Sequence, residues 1–198
     1  MVIFGITGGS GSGKTSVSKM LEKLGVHIID TDVIAHEIVE PNSDCLNELV
    51  NYFGDSILND DKTLNRKKLA SIAFSDKQKT VALSNITHKY IRAEVVKDIN
   101  TTDAELVGID GAVIIGSNVE PLCVFIVSVI ADKQSRITRI KTRDNITDEQ
   151  AIQRINAQND DEFYKENSMY IIYNNGDIAQ LESDVVGLFN KIKGNSFE

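Results

Sequence analysis

The chain has 198 residues, 41% hydrophobic and 25% charged, the balance of a folded globular protein rather than a disordered one. Acidic residues outnumber basic ones by 29 to 21, for a net charge of −8, which disfavours a nucleic-acid-binding role and its basic surface. Cys45 and Cys123 lie far apart without metal-ligand spacing and read as reduced thiols of a cytoplasmic protein. The longest apolar run, Val124–Ala131, is too short to cross a bilayer, and the apolar opening lacks the basic flank of a signal peptide.

The first predicted element is a strand, VIFGIT, which runs straight into GGSGSGKTS. Val17, Met20, Leu21 and Leu24 then recur at helical spacing, and Gly25 supplies the stop. Strand, loop and helix together satisfy the phosphate-loop pattern in full, Gly8-x4-Gly13-Lys14-Thr15. Glycines let such a loop bring backbone N–H groups close to phosphate oxygens, and the helix start adds its dipole. The expected phosphate contacts are Gly9, Gly11, Ser12, Gly13, Lys14, Thr15 and Ser16, with Lys14 on the β and γ phosphates and the Thr15 hydroxyl on Mg²⁺. The chain therefore reads as binding a nucleoside triphosphate with magnesium. No NKxD or DxxG motif accompanies the loop, which argues against a regulatory GTPase.

A second strand, VHIID, ends at Asp30 and leads through Asp32 into an amphipathic helix marked by Ile34 and Ile38. In a parallel sheet that strand end shares an edge with the phosphate loop, so Asp32 is a candidate base for an acceptor hydroxyl. The plainer alternative is that both aspartates cap the helix. Residues 64–100 carry two helical patterns without a strand between them, and 132–167 are again helical and rich in arginine. The remaining strands are ELVGID, VFIVSVIA and MYIIY. Apolar runs of this kind, alternating with helices, predict a doubly wound α/β fold with a five-stranded parallel sheet, one unit over 1–198. Arg136, Arg139 and Arg143 fall on one helix face, Thr147 to Gln150 spell a capping box, and Arg154 and Gln158 are expected one turn apart on the next helix. Three arginines on one face suit a triphosphate, although a solvated face is the usual fate of such a run.

GITGGSGSGKTSVSKMLEKLGVHIIDTDVIAHEIVEP resembles the opening of dephospho-CoA kinases, which typically read TGGIGSGKS or TGGIGSGKT, a strand, then DADxIAHxxxxP. The resemblance continues in Phe53–Asp76, in NITH with Arg92 after it, and in Arg136–Gln158, and so covers nearly the whole chain. It implies a P-loop kinase that uses ATP and Mg²⁺ to phosphorylate the ribose 3′-hydroxyl of dephospho-CoA, the last step of coenzyme A synthesis. It also implies a helical CoA-binding insertion over about 60–100 and a lid over about 132–167, by analogy with that fold. On this resemblance Asp32 is the base, with Lys14 and Arg139 completing the catalytic set. Asp30, His36, His88 and Arg92 match acceptor-side positions. Asp110, a Walker-B-like carboxylate at the end of the third strand, joins them within reach of magnesium through water. Arg139 and Arg143 match the arginine pair that serves the triphosphate. YIIYNNGD resembles the family's Asn-x-Gly turn, which brings Asn174 or Asn175 near the adenine, with Asn175 taken as the contact. His27 and Cys45 gain no such support and read as structural. The only partner implied is the small-molecule substrate, for a monomer or weak homo-oligomer.

Four positions depart from the family pattern. Ala112 and Gly116 replace the proline and glutamate of a PLLFE-like segment, Lys89 replaces the proline of NITHP, and Tyr173 stands where an aspartate is common. The nucleotide half is intact, and the changes fall on the acceptor side. Two rival readings stand beside the family's reaction. One is another small-molecule P-loop kinase, such as a shikimate kinase, which also carries a DxD after the second strand. The other is a nucleotide-binding protein without transferase activity.

Overall fold

The computed structural model describes residues 1–194. Its strands are β1 (Val2–Thr7), β2 (His27–Asp30), β3 (Leu106–Asp110), β4 (Phe125–Ile130) and β5 (Tyr170–Tyr173). Its helices are α1 (Lys14–Lys23), α2 (Thr31–Glu37), α3 (Asp44–Phe53), α4 (Arg66–Ala73), α5 (Lys77–Thr101), α6 (Lys133–Asp144), α7 (Asp148–Asn156), α8 (Asp161–Glu166) and α9 (Ile178–Gly194). The chain divides into two compact units, one of Met1–Asp30 with Thr102–Glu198, the other Thr31–Thr101.

The first unit holds all five expected strands in one parallel sheet, ordered β2-β3-β1-β4-β5. The central strands β3 and β4 are buried along their whole length, which is why they read as unbroken apolar runs. Strand order reverses at β1, and in such sheets ligands bind beyond the carboxyl end of that switch strand. Register places Asp30, Asp110 and Ile6 side by side, with Thr7 opposite Ser128, so several strand ends share the edge where the glycine loop begins. The core joins Phe4, Ile6, Val127 and Val129 to Val17 and Leu21 of α1 and to Leu181, Val185 and Leu188 of α9. The Phe4 and Phe125 rings stack at 5.3 Å. Full burial of one such side chain stabilises by about 1.5–3 kcal/mol.

Gly13, left-handed at φ 97°, precedes α1 and offers no capping side chain. The helix ends at Leu24, and Gly25 at φ 96° takes the left-handed turn that stops it. α6 and α7 form a hairpin with an apolar seam of its own, Ile137 and Ile140 against Ala151 and Ile155. The expected capping box closes on both sides, Thr147 with Gln150, at the start of α7. One expectation is corrected here. α7 stops at Asn156, so Gln158 lies beyond the helix, in a turn where its N–H donates to Ile155 O at 3.1 Å. Asn156 and Asn159 disfavour a helix interior, and no apolar stripe continues past Ile155.

The second unit packs Ile38, Cys45, Leu49, Ile57, Leu69, Ala73 and Ile86 into a separate core. Ser43 caps α3 by accepting from Leu46 N–H, and Asn65 caps α4 by accepting from Lys68 N–H. α5 runs unbroken for 25 residues. Glu48 of α3 ties to it twice, at 2.6 Å from Lys89 Nζ and 2.7 Å from the Tyr90 hydroxyl.

Candidate active site

Gly11 and Gly13 take left-handed φ values of 78° and 97°, which side chains with a Cβ rarely adopt. A Cβ at Gly11 would lie 2.7 Å from the Arg136 carbonyl, and one at Gly13 would run into Asn174 Nδ2. The loop is therefore glycine-rich partly because other chain segments crowd its outer side. A phosphate cradle turns N–H groups inward, which leaves carbonyls facing out in need of donors. Those donors come from far along the sequence. Arg136 Nε donates to Ser10 O at 2.9 Å. Arg139 NH1 donates to Gly11 O and Ser12 O at 3.2 and 3.3 Å. Asn174 Nδ2 donates to Ser12 O at 2.8 Å. Arg139 NH2 also donates to Asn174 O at 2.9 Å, so arginine and asparagine support each other.

Lys14 pairs with Asp110, a carboxylate only 2% exposed at the end of β3. Thr15 and Ser16 follow it, both exposed in the first turn of α1. Ser12 Oγ is buried and has no hydrogen-bond partner, an orphan inside the loop that a phosphate oxygen would satisfy. Arg143 is exposed at the rim, with NH2 3.5 Å from Ser10 Oγ. It shares Asp144 with Arg154, and hydrogen bonds from Arg143 above all hold the Asp144 carboxyl down at about 2. The three arginines of α6 thus do reach one loop, yet Arg136 and Arg139 spend donors on its backbone.

Asn175 Oδ1 accepts from Asp132 N–H at 2.8 Å, fixing the N-terminus of α6 against the turn after β5. Asn174, left as an alternative in the sequence, is the buried one of the pair. In the second unit, Asp32 is exposed in the first turn of α2, where the helix dipole favours a carboxylate. His36 closes α2 with Nδ1 3.0 Å from Arg66 NH2. His88 and Arg92 are half-buried, four residues apart on α5. Asp30, the last residue of β2, belongs to the first unit and pairs in register with Asp110.

Sequence reasoning missed Asn174, Gln158 and Arg136 as loop supports. Their partners lie 126 to 162 residues away, and no local pattern encodes a bond of that span. The PLLFE-like segment is rebuilt as a turn in which Gly116, at φ 77°, donates its N–H to Glu120 Oε2 at 2.6 Å. Both thiols are free, Cys45 buried and Cys123 partly so, and burial pushes them up to about 11 and about 12, away from the thiolate that reactivity needs.

A parallel sheet with its switch point at β1, a complete phosphate loop there, and a lysine paired to the carboxylate on the neighbouring strand define a P-loop kinase. A model of the dephospho-CoA kinase family matches residues 2–180, and the chain belongs to that family. It is 34% identical to the dephospho-CoA kinase of Lactobacillus johnsonii over 191 residues, 95% of this chain and 96% of the relative. Among solved structures, one from Thermus thermophilus superposes with a TM-score of 0.84 at 25% identity, covering 98% of each chain. The dephospho-CoA kinase from Campylobacter jejuni superposes with a TM-score of 0.67 at 27% identity, again covering 98% of each.

Proposed function

We propose that the protein transfers the γ-phosphoryl group of ATP to the ribose 3′-hydroxyl of dephospho-CoA, the reaction its family is named for. The observation that carries this reading is the braced loop with Lys14 and Asp110 at the switch point of the sheet, in a chain of that family. Loop N–H groups and Lys14 hold the β and γ phosphates. Arg139, fastened to the loop, and Arg143, exposed beside Ser10, supply positive charge at the transferring group. Asp32 accepts the hydroxyl proton as the new P–O bond forms and ADP departs. Asp30, His36, His88 and Arg92 hold the acceptor, and Asn175 lies on the adenine side.

A magnesium ion fits the residues present. Thr15 offers a hydroxyl at the loop's end and Asp110 a carboxylate, while no group of three His, Cys, Asp or Glu among the described residues could cage an ion alone. That donor set suits a cation held mainly by phosphate and water. When bound, magnesium neutralises charge on the β- and γ-phosphate oxygens. A cytoplasmic protein working as a monomer or weak homo-oligomer completes the proposal. Among the described residues no helix is long and apolar enough to cross a membrane.

The test is ADP release from Mg-ATP with and without dephospho-CoA, with shikimate and nucleoside monophosphates as parallel acceptors. Release with dephospho-CoA alone supports the proposal. Release with another acceptor keeps the phosphate loop and replaces the substrate. ATP binding with no release for any acceptor leaves a nucleotide-binding protein without transferase activity.

A further inference from the structure

Arg136 is an arginine with 5% exposure in a chain segment otherwise given to solvent-facing charge. Its Nε donates to Ser10 O at 2.9 Å, and its NH2 donates to Gln158 Oε1 at 3.2 Å. The same Oε1 accepts the Ser10 N–H at 2.8 Å. Arg136 NH1 lies 3.8 Å from Asp161 of α8, which offsets part of the buried charge. Ser10 therefore has its carbonyl and its N–H both committed to protein, and its amide is withdrawn from the phosphate cradle.

Gly9 lies against the same guanidinium. A Cβ built there would sit 2.9 Å from Arg136 Cζ and 3.3 Å from NH1, and would collide with NH2. Unlike Gly11 and Gly13, Gly9 carries no left-handed φ. Its backbone angle carries no bar to a side chain, and the three atoms nearest the built Cβ all belong to the arginine.

We infer that Arg136 and Gln158 are positioning residues that set the shape of the phosphate loop through Ser10, and that Gly9 is glycine to admit the Arg136 guanidinium rather than to admit phosphate. The catalytic consequence rests on the kinase reading above, whereas the contact itself does not. Within the phosphate loop both residues bond to Ser10, in its first half, so the brace is expected to act first on the nucleotide side.

The experiment is a double-mutant cycle of Gly9→Ala and Arg136→Ala, with Arg136→Lys and Gln158→Leu beside it, read by thermal melting and by KM and kcat. Arg136→Ala is expected to raise the KM for ATP by roughly tenfold or more, with the KM for dephospho-CoA moved by less than about twofold. Arg136→Lys, which keeps one donor for Ser10 O, should recover part of the loss. Gly9→Ala should lower the melting temperature by several degrees in the parent protein and leave it nearly unchanged in the Arg136→Ala background. Additive melting losses would overturn the account of Gly9. Equal rises in both KM values, or a melting loss with unchanged kinetics, would overturn the positioning role. Gln158→Leu carries the same kinetic test if Arg136→Ala fails to fold. If the parent protein released no ADP with dephospho-CoA, the kinase reading would fail, but ATP calorimetry and the melting cycle would still decide whether the brace exists.

Discussion

Asp32 and Asp144 show how differently two carboxylates are used. Asp32 is exposed at the head of α2, two residues past the end of β2, and the proposed reaction asks it only to hold a proton. Asp32→Asn keeps shape and hydrogen bonding but cannot accept that proton, so kcat should fall by about 10²–10⁴ while the ATP dissociation constant stays within about twofold. Turnover near the parent rate would remove Asp32 from its role. Asp144 is a static counterion, held down at about 2 by Arg143 first and Arg154 second. Its folded value lies below the usual 3.8, so its contribution to stability is complete above about pH 4 and is lost as pH falls toward 2. In Arg143→Ala the Asp144 midpoint should rise toward the ordinary carboxylate value, read by carboxyl ¹³C titration. A midpoint that did not move would mean that Arg154 alone sets it.

At the scale of elements, the sheet was legible because its strands β3 and β4 are buried along their whole length and β1 along its last four residues, so their apolar runs carry no competing period. α1 was legible because loop, stripe and stop glycine agree. The capping box of α7 was legible because its residues bond to one another within a single turn. The end of α7 and the short α8 were not, since six or fewer residues hold too little periodicity. The outer supports of the loop were not legible for a different reason: an arginine facing phosphate and one facing a carbonyl leave the same sequence pattern. Lys89 illustrates a departure whose effect becomes plain only in the fold. A proline at 89 would remove an N–H from the interior of α5, whereas lysine lets the helix run on and reach Glu48. Lys89→Pro should destabilise by about 3 kcal/mol or more, measured by urea unfolding. Unchanged stability would show that α5 tolerates a kink there.

For the whole molecule, the net charge of −8 makes local basic groups decisive, because the surface at large repels a polyanionic substrate. The positive charge of Arg136, Arg139, Arg143 and Lys14 is gathered on one loop, and much of it is already engaged with protein. Nucleotide binding should therefore register as a stability change. With Mg-ATP at about a hundredfold its dissociation constant, mass action adds about 2.7 kcal/mol. For a chain of this length that is a rise in melting temperature of roughly 5–10 °C. Lys14→Ala should abolish most of the rise, and an equal rise in that variant would separate the lysine from the phosphates. The family match over residues 2–180 includes α6 and α7, so the hairpin that braces the loop lies within the matched residues.

The turn at Gly116 also limits which residues the position can hold. Where the family pattern has glutamate, this chain has a left-handed backbone anchored by Glu120, and a residue with a Cβ would be strained there by about 1–2 kcal/mol. The open space around Gly116 does not help, because the obstacle is the backbone angle and not a neighbour. Gly116→Glu by itself would thus meet a main chain whose angle suits glycine. A glutamate at 116 therefore asks for a different path of the segment and not for a different side chain alone.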